Sequence, residues 1–191
     1  MELLDDPPRR RELNQIIELP LDEQPAAMAR LSGDRIPILT SEPGQAMNCF
    51  AFAFDLGEAL HSDPVLNYLA MPDHLLAYGH DIHADGCFVR WLWINRLIER
   101  DYGGEVILYF AGGRPVHAAK RLQDGPVVSK WGGGHRWVHE VDDVPSSYGT
   151  HYATVRVTAA MSTVDLYREY LRTVYPIVWK SANARVRSRW E

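Results

Sequence analysis

The sequence predicts an α+β fold in which helices pack on an antiparallel β-sheet meander and a further helix closes the chain. Three features of its order say so. Apolar residues recur at helical spacing in the first half, five short strand-like runs follow the pair Gly103 and Gly104, and helical spacing returns at the end.

Residues 1–46 hold six of the twelve prolines, at positions 7, 8, 20, 25, 37 and 43, among short mixed segments. That density predicts an extended, loop-rich arm wrapped on the domain, with no core of its own. The run "MNCFAFAFDLGEAL" is free of proline, and Asn48 can cap it, so a buried helix is expected at about Cys49 to Leu60. The alternation in "FAFAF" also fits a strand. From His61 to Gly86 scattered Pro, Gly, Asp and His predict an irregular insertion with a short helix near Pro64 to Ala70. "CFVRWLWINRLIERDYGG" predicts a second helix ending at the glycines.

Five strands should follow, in "EVILYFA", "PVHAAKRL", "PVVSKWG", "HRWVHEV" and "YATVRVTA". The intervening "GGR", "QDG" and "GGG" supply residues suited to tight turns, which makes the strands an antiparallel meander. "STVDLYREYLRTVY" opens on Ser162 or Thr163 and reads as a closing helix. A chain of 191 residues with 46% apolar composition is expected to form one domain, with the arm at 1–46, a core at 47–160 and a C-terminal helix and tail at 161–191.

The formal charge of −5 and a pI near 5.9 provide no broad basic field, so nucleic acid is not an expected partner. The N-terminus lacks the pattern of a secretory signal, and no run of about 18 apolar residues predicts a membrane span. The expectation is a soluble protein, cytoplasmic or exported without a classical signal peptide. Two cysteines, Cys49 and Cys87, are read as free thiols. Composition says nothing about oligomeric state.

A cysteine at a helix start can have its thiolate stabilised by free backbone amides and the helix dipole, and Cys49 is placed to do so. A histidine must then take the thiol proton and return it to the leaving group. His117, on a strand expected to pack against that helix, is the candidate. Counting along "HAAKRLQDGPVVSK" puts Ser129 or Lys130 on the neighbouring strand near His117. Ser129 can hydrogen-bond an imidazole, whereas Lys130 cannot accept a hydrogen bond from one.

These words resemble the papain-like NlpC superfamily of bacterial cysteine hydrolases: "NCFAFA", then "VILYFAGGRPVHAAKRLQDGPVVSKWG", then His139, Tyr148 and Gly149. The likeness spans roughly Ala46 to Gly149. It implies a papain-like domain that hydrolyses a peptide or amide bond, with the peptidoglycan stem peptide as one substrate class and no cofactor. Cys49 would be the nucleophile, His117 the base and Ser129 the third member, a position where the superfamily more often has histidine or asparagine. His139 or Asn48 could serve there instead. The oxyanion would be held by the Cys49 amide and a side-chain donor, for which Gln45 is a candidate. Lys130 and Trp131 would border the substrate cleft.

Each residue also has a plainer reading. Cys49 can be a small buried core residue, His117 a strand histidine bonded to backbone, and the whole domain a non-catalytic binding module. The run "HLLAYGHDIHADGC" offers His74, His80, His83 and Cys87 with Asp81 and Asp85 between them. Those spacings match no standard closed zinc site, so a polar loop is the plainer reading, and a metal-binding protein using the histidine-rich loop at 74–87 is the lesser alternative.

Overall fold

A computed structural model of the protein describes residues 1–5, 7–31, 36–41, 48–70, 87–123, 125–131 and 134–188. The β-branched and aromatic runs after Gly104 form one antiparallel sheet. Its strands are β1 (Glu2–Leu3), β2 (Ile38–Ser41), β3 (Ile98–Arg100), β4 (Val106–Ala111), β5 (Arg114–Arg121), β6 (Val127–Lys130), β7 (Arg136–His139) and β8 (His151–Val157). They lie in the order β1-β8-β4-β5-β6-β7-β2, and β3 pairs with a further stretch of β8. The expected meander is present as β4 to β7, and β8 returns to pair with β4.

Both faces of this sheet are covered, which explains why β4 reads as an almost unbroken apolar run, "VILYFA". Val106, Leu108 and Phe110 pack on one face with Ala118, Ala153 and Val155. Ile107 and Tyr109 pack on the other with Ala119 and Val127. Burial of each such Val, Leu, Ile or Phe contributes about 1.5–3 kcal/mol, so β4 anchors both layers.

The first face carries α3 (Cys49–Ala53), α4 (Gly57–Ser62), α5 (Pro64–Ala70), α6 (Cys87–Ile94), α7 (Thr163–Val174) and α8 (Pro176–Arg187). The helix expected over Cys49 to Leu60 is two short helices. Asp55 adopts φ of +55° and the Leu56 N–H reaches back to the Ala51 carbonyl, which ends α3 after five residues. The second expected helix stops at Ile94, and Ile98–Arg100 joins the sheet instead. Arg96, at φ of +56°, turns the chain between them. In α7 the Ser162 hydroxyl oxygen accepts from the Asp165 N–H at 3.1 Å, while Leu166, Tyr167, Tyr170 and Leu171 form the buried stripe. Among the described residues no helix is long and apolar enough to cross a membrane.

The arm is the main departure from expectation. It holds α1 (Pro7–Ile17) and α2 (Gln24–Met28), and Leu13, Ile16, Met28 and Leu31 build a core with Trp131 and Trp137 on the second face. Prolines 7, 8 and 25 misled because each lies in the first turn of a helix, where an N–H is not needed for the helical ladder. Arg10 fastens α1 down. Its buried guanidinium donates to the carbonyls of Val144, Pro145 and Gly149, and Arg9 pairs with Asp143 at 2.9 Å.

Gly149 closes this layer at φ of +100°, where an added Cβ would lie 2.2 Å from the Phe110 carbonyl oxygen. Gly149→Ala should therefore lose about 1–3 kcal/mol in urea unfolding. Gly112→Ala, at φ of +56° but facing open space, should lose less, and equal losses would show that the close approach is not what matters.

Candidate functional site

Helix α3 begins where the sequence places it. Asn48 is extended at φ −79° and ψ 174°, and its side-chain oxygen accepts from the Ala51 N–H at 2.9 Å. Asn48 is thus a helix cap. Cys49 is half-buried and packs against the core of the first face. Burial pushes its thiol up to about 11, although the amides of Ala118, Phe50 and Cys49 itself and the charge of Lys130 pull the other way. A five-residue helix adds only a weak dipole, so it does not reverse the burial.

His117 lies on the strand that packs against α3, but its ring leaves from the opposite face. Side chains alternate along a strand, and Ala118 is the residue that faces the helices. The His117 imidazole is buried, stacked on Tyr148 with centroids 3.9 Å apart and tilted against Tyr109 at 5.4 Å. Both tyrosines belong to the second-face layer. Its Nε2 is buried and has no hydrogen-bond partner among the described residues. Burial, and then electrostatic coupling to His139, holds this imidazole well below the ordinary histidine range, so it is neutral at pH 7.

Ser129 sits opposite Ala119 on the neighbouring strand, where counting along the hairpin predicted Ser129 or Lys130, and it shares the face of His117. Its hydroxyl is engaged elsewhere. Ser129 Oγ lies 2.8 Å from His139 Nε2 and accepts from Trp131 Nε1 at 2.8 Å. His139 Nδ1 lies 2.7 Å from the Glu140 carbonyl, which can only accept, so Nδ1 carries the proton and Nε2 accepts from Ser129. Burial lowers His139 to about 4, which keeps this neutral tautomer at pH 7. The chain Trp131 to Ser129 to His139 to Glu140 is complete in itself and buried.

The structure therefore brings Ser129, Trp131 and His139 together and leaves Cys49 apart from His117. Strand alternation sends the His117 ring, expected to be the base for Cys49, to the face opposite α3, and the Ser129 hydroxyl, expected to orient that ring, bonds to His139 instead. Trp131, expected at a cleft, is buried among Trp137, His139 and the helices of the arm. Lys130 is on the helix side, buried, with its pKa lowered first by burial and then by Arg136, while Cys49 acts to raise it. It is the hairpin residue whose charge reaches the thiol. Gln45 and the run from His74 to Asp85 lie outside the described residues, and Cys87 begins α6. Among the described residues no three His, Cys, Asp or Glu side chains cluster to hold a metal ion.

Tyr109 and Arg10 had no local signal in the sequence, whereas Tyr148 belongs to the words that carry the resemblance. Tyr148 stacks on the His117 ring across 31 residues of chain, and Tyr109 is tilted against it from another strand. Arg10 is likewise drawn from a proline-rich stretch into the layer that buries them.

Residues 38–156 match the family model described as Domain of unknown function (DUF7689), well over half of the chain, and the chain belongs to that family. The match covers α3 and the strands from β2 to nearly the end of β8. No curated protein and no solved structure matches.

The buried histidines set a pH dependence. An imidazole lowered in the folded state is neutral in both states above pH 6.5, but below it the unfolded chain binds the proton first. Stability should be full above about pH 6.5 and fall as pH drops toward 4, by about 3 kcal/mol for His139 alone. Urea midpoints measured across that range should show this slope, and His139→Gln should flatten it while lowering stability at pH 7. An unchanged slope in the variant would mean that His139 is not the group responsible.

Proposed function

We propose that this member of the DUF7689 family is an interaction module, and that its papain-like hairpin serves as a structural brace. The observation that carries this reading is the placement of Cys49 and the His117 ring on opposite faces of the sheet. A thiol pushed up to about 11 is protonated at neutral pH, and a neutral, enclosed imidazole on the far side cannot take its proton. Ser129 and His139 satisfy each other. His117, Ser129 and His139 thus support the second layer, while Cys49 packs in the first.

One observation favours a second reading, amide or peptide hydrolysis at Cys49 with Lys130 in place of His117. Cys49 and Lys130 act on each other electrostatically, and burial lowers the lysine. In that chemistry the neutral amine of Lys130 takes the thiol proton, the sulfur adds to the carbonyl carbon, and the proton passes to the leaving nitrogen. Water then cleaves the thioester. Lys130 carries further interactions that also suit a structural role.

Alkylation by iodoacetamide, read by peptide mapping, separates the two. The module reading expects Cys49 to react roughly a hundredfold more slowly at pH 7 than a thiol at the ordinary value of 9.0, with the rate rising about tenfold per pH unit. A fast rate that levels off near neutral pH, and that falls in Lys130→Met, would overturn the module reading in favour of the hydrolase.

A further inference from the structure

The arginines of this surface are not treated alike. Arg156 pairs with Glu99 and Asp101, Arg168 with Asp63 and Asp165, and Arg172 with Glu169. Arg90 on α6, Arg100 on β3 and Arg114 at the start of β5 have no carboxylate partner among the described residues. All three are exposed, and all three line one groove of about 470 Å³. Three guanidiniums around one groove, without a carboxylate partner among the described residues, are a concentrated positive site on a chain whose net charge is −5.

Between the guanidiniums the exposed apolar surface comes from Trp93 and Ile94, with Phe110 at its edge and the enclosed Val89 and Leu108 behind them. Trp93 is 39% exposed and Ile94 68%, and the Arg100 guanidinium lies 5.8 Å from the Trp93 ring centroid. Tryptophan and arginine around an apolar pocket are the composition from which strong contact points in protein interfaces are made. Apolar burial alone would leave the partner's chemistry open. The three cations narrow it to carboxylate-bearing chains, because each guanidinium can hold a carboxylate in a two-pronged contact.

We propose that this groove docks an acidic peptide segment of a partner protein, seating one aromatic or aliphatic side chain between Trp93 and Phe110 while its carboxylates meet Arg90, Arg100 and Arg114. The assignment rests on the module reading above, since it gives that module its partner class. The groove is built from α6, β3, β4 and the β4–β5 turn, and Cys49 does not line it.

The test uses the full chain and an array of dye-labelled heptapeptides, each with three Glu or Asp residues and one central Phe, Trp or Leu. The comparison set replaces the acidic residues with Gln and Asn. Acidic members should bind saturably and at least tenfold tighter than their neutral counterparts, weakening as salt is raised. Arg90→Glu with Arg114→Glu should cost at least tenfold in affinity, and Trp93→Ala a similar factor, with the melting transition unchanged for the arginine pair. The idea is overturned if neutral peptides bind equally, or if the double variant binds as wild type. Binding to vesicles of phosphatidylserine and phosphatidylcholine that the same arginines control, without peptide binding, would also overturn it. Cys49→Ser separates this from the preceding proposal. Peptide binding retained in that variant, with no cleavage by wild type, supports both. Cleavage of a bound peptide would overturn the module reading and leave the docking site standing.

Discussion

Strand β5 sends its neighbours to different layers: Ala118 faces α3 and the helical core, while His117 and Ala119 face the arm. A period of two is imposed by the pleat, and with both faces covered no residue in the middle of the strand is free to change sides. Moving His117 to the helix side would move Ala118 into the tyrosine layer and empty a methyl-sized contact from the helical core. Every other feature of the candidate site follows from this alternation. Cys49 meets an amide and a lysine, and His117 meets tyrosines.

The second layer is where the hairpin's polar residues are consumed. A buried serine hydroxyl, an indole N–H and an imidazole would each cost about 1–3 kcal/mol if left unpaired. The bonds among Trp131, Ser129, His139 and the Glu140 carbonyl satisfy all of them without water. This arrangement also specifies geometry, because only one tautomer of His139 fits it. Arg10, Arg9 and Gly149 then hold the arm over the network, so an N-terminal segment rich in proline is part of the core that buries the hairpin.

The five strands after Gly104, a cap at Ser162 or Thr163, the helix at Pro64 and the α+β class were legible because each depends on local pattern, whereas β1, β2 and β3 were not. The Asn48 cap was legible too, and the register that brings Ser129 beside the strand of His117 followed from simple counting. What could not be read was which face each residue takes, since this depends on where the helices dock. With α3 on one side and α1 and α2 on the other, both faces of β5 are interior, and a histidine flanked by small residues looks the same either way. The break at Asp55 was hidden for a related reason: aspartate tolerates the left-handed turn, yet glycine is the residue that advertises it.

The distribution of charge carries the argument from fold to use. The polar residues with the look of chemistry, His117, Ser129 and His139, are enclosed, neutral and distant from solvent. Along the outer side of α6 the opposite holds, where Arg90, Arg100 and Arg114 stand exposed around Trp93 without carboxylates among the described residues. Among the described residues an indole and an isoleucine stand exposed beside three like charges, which repel one another across a shared groove. An acidic partner would cover Trp93 and Ile94 and neutralise the repulsion. The rigid two-faced sheet supplies what such docking needs, since β4 and β5 hold one wall of the groove in place before any partner arrives.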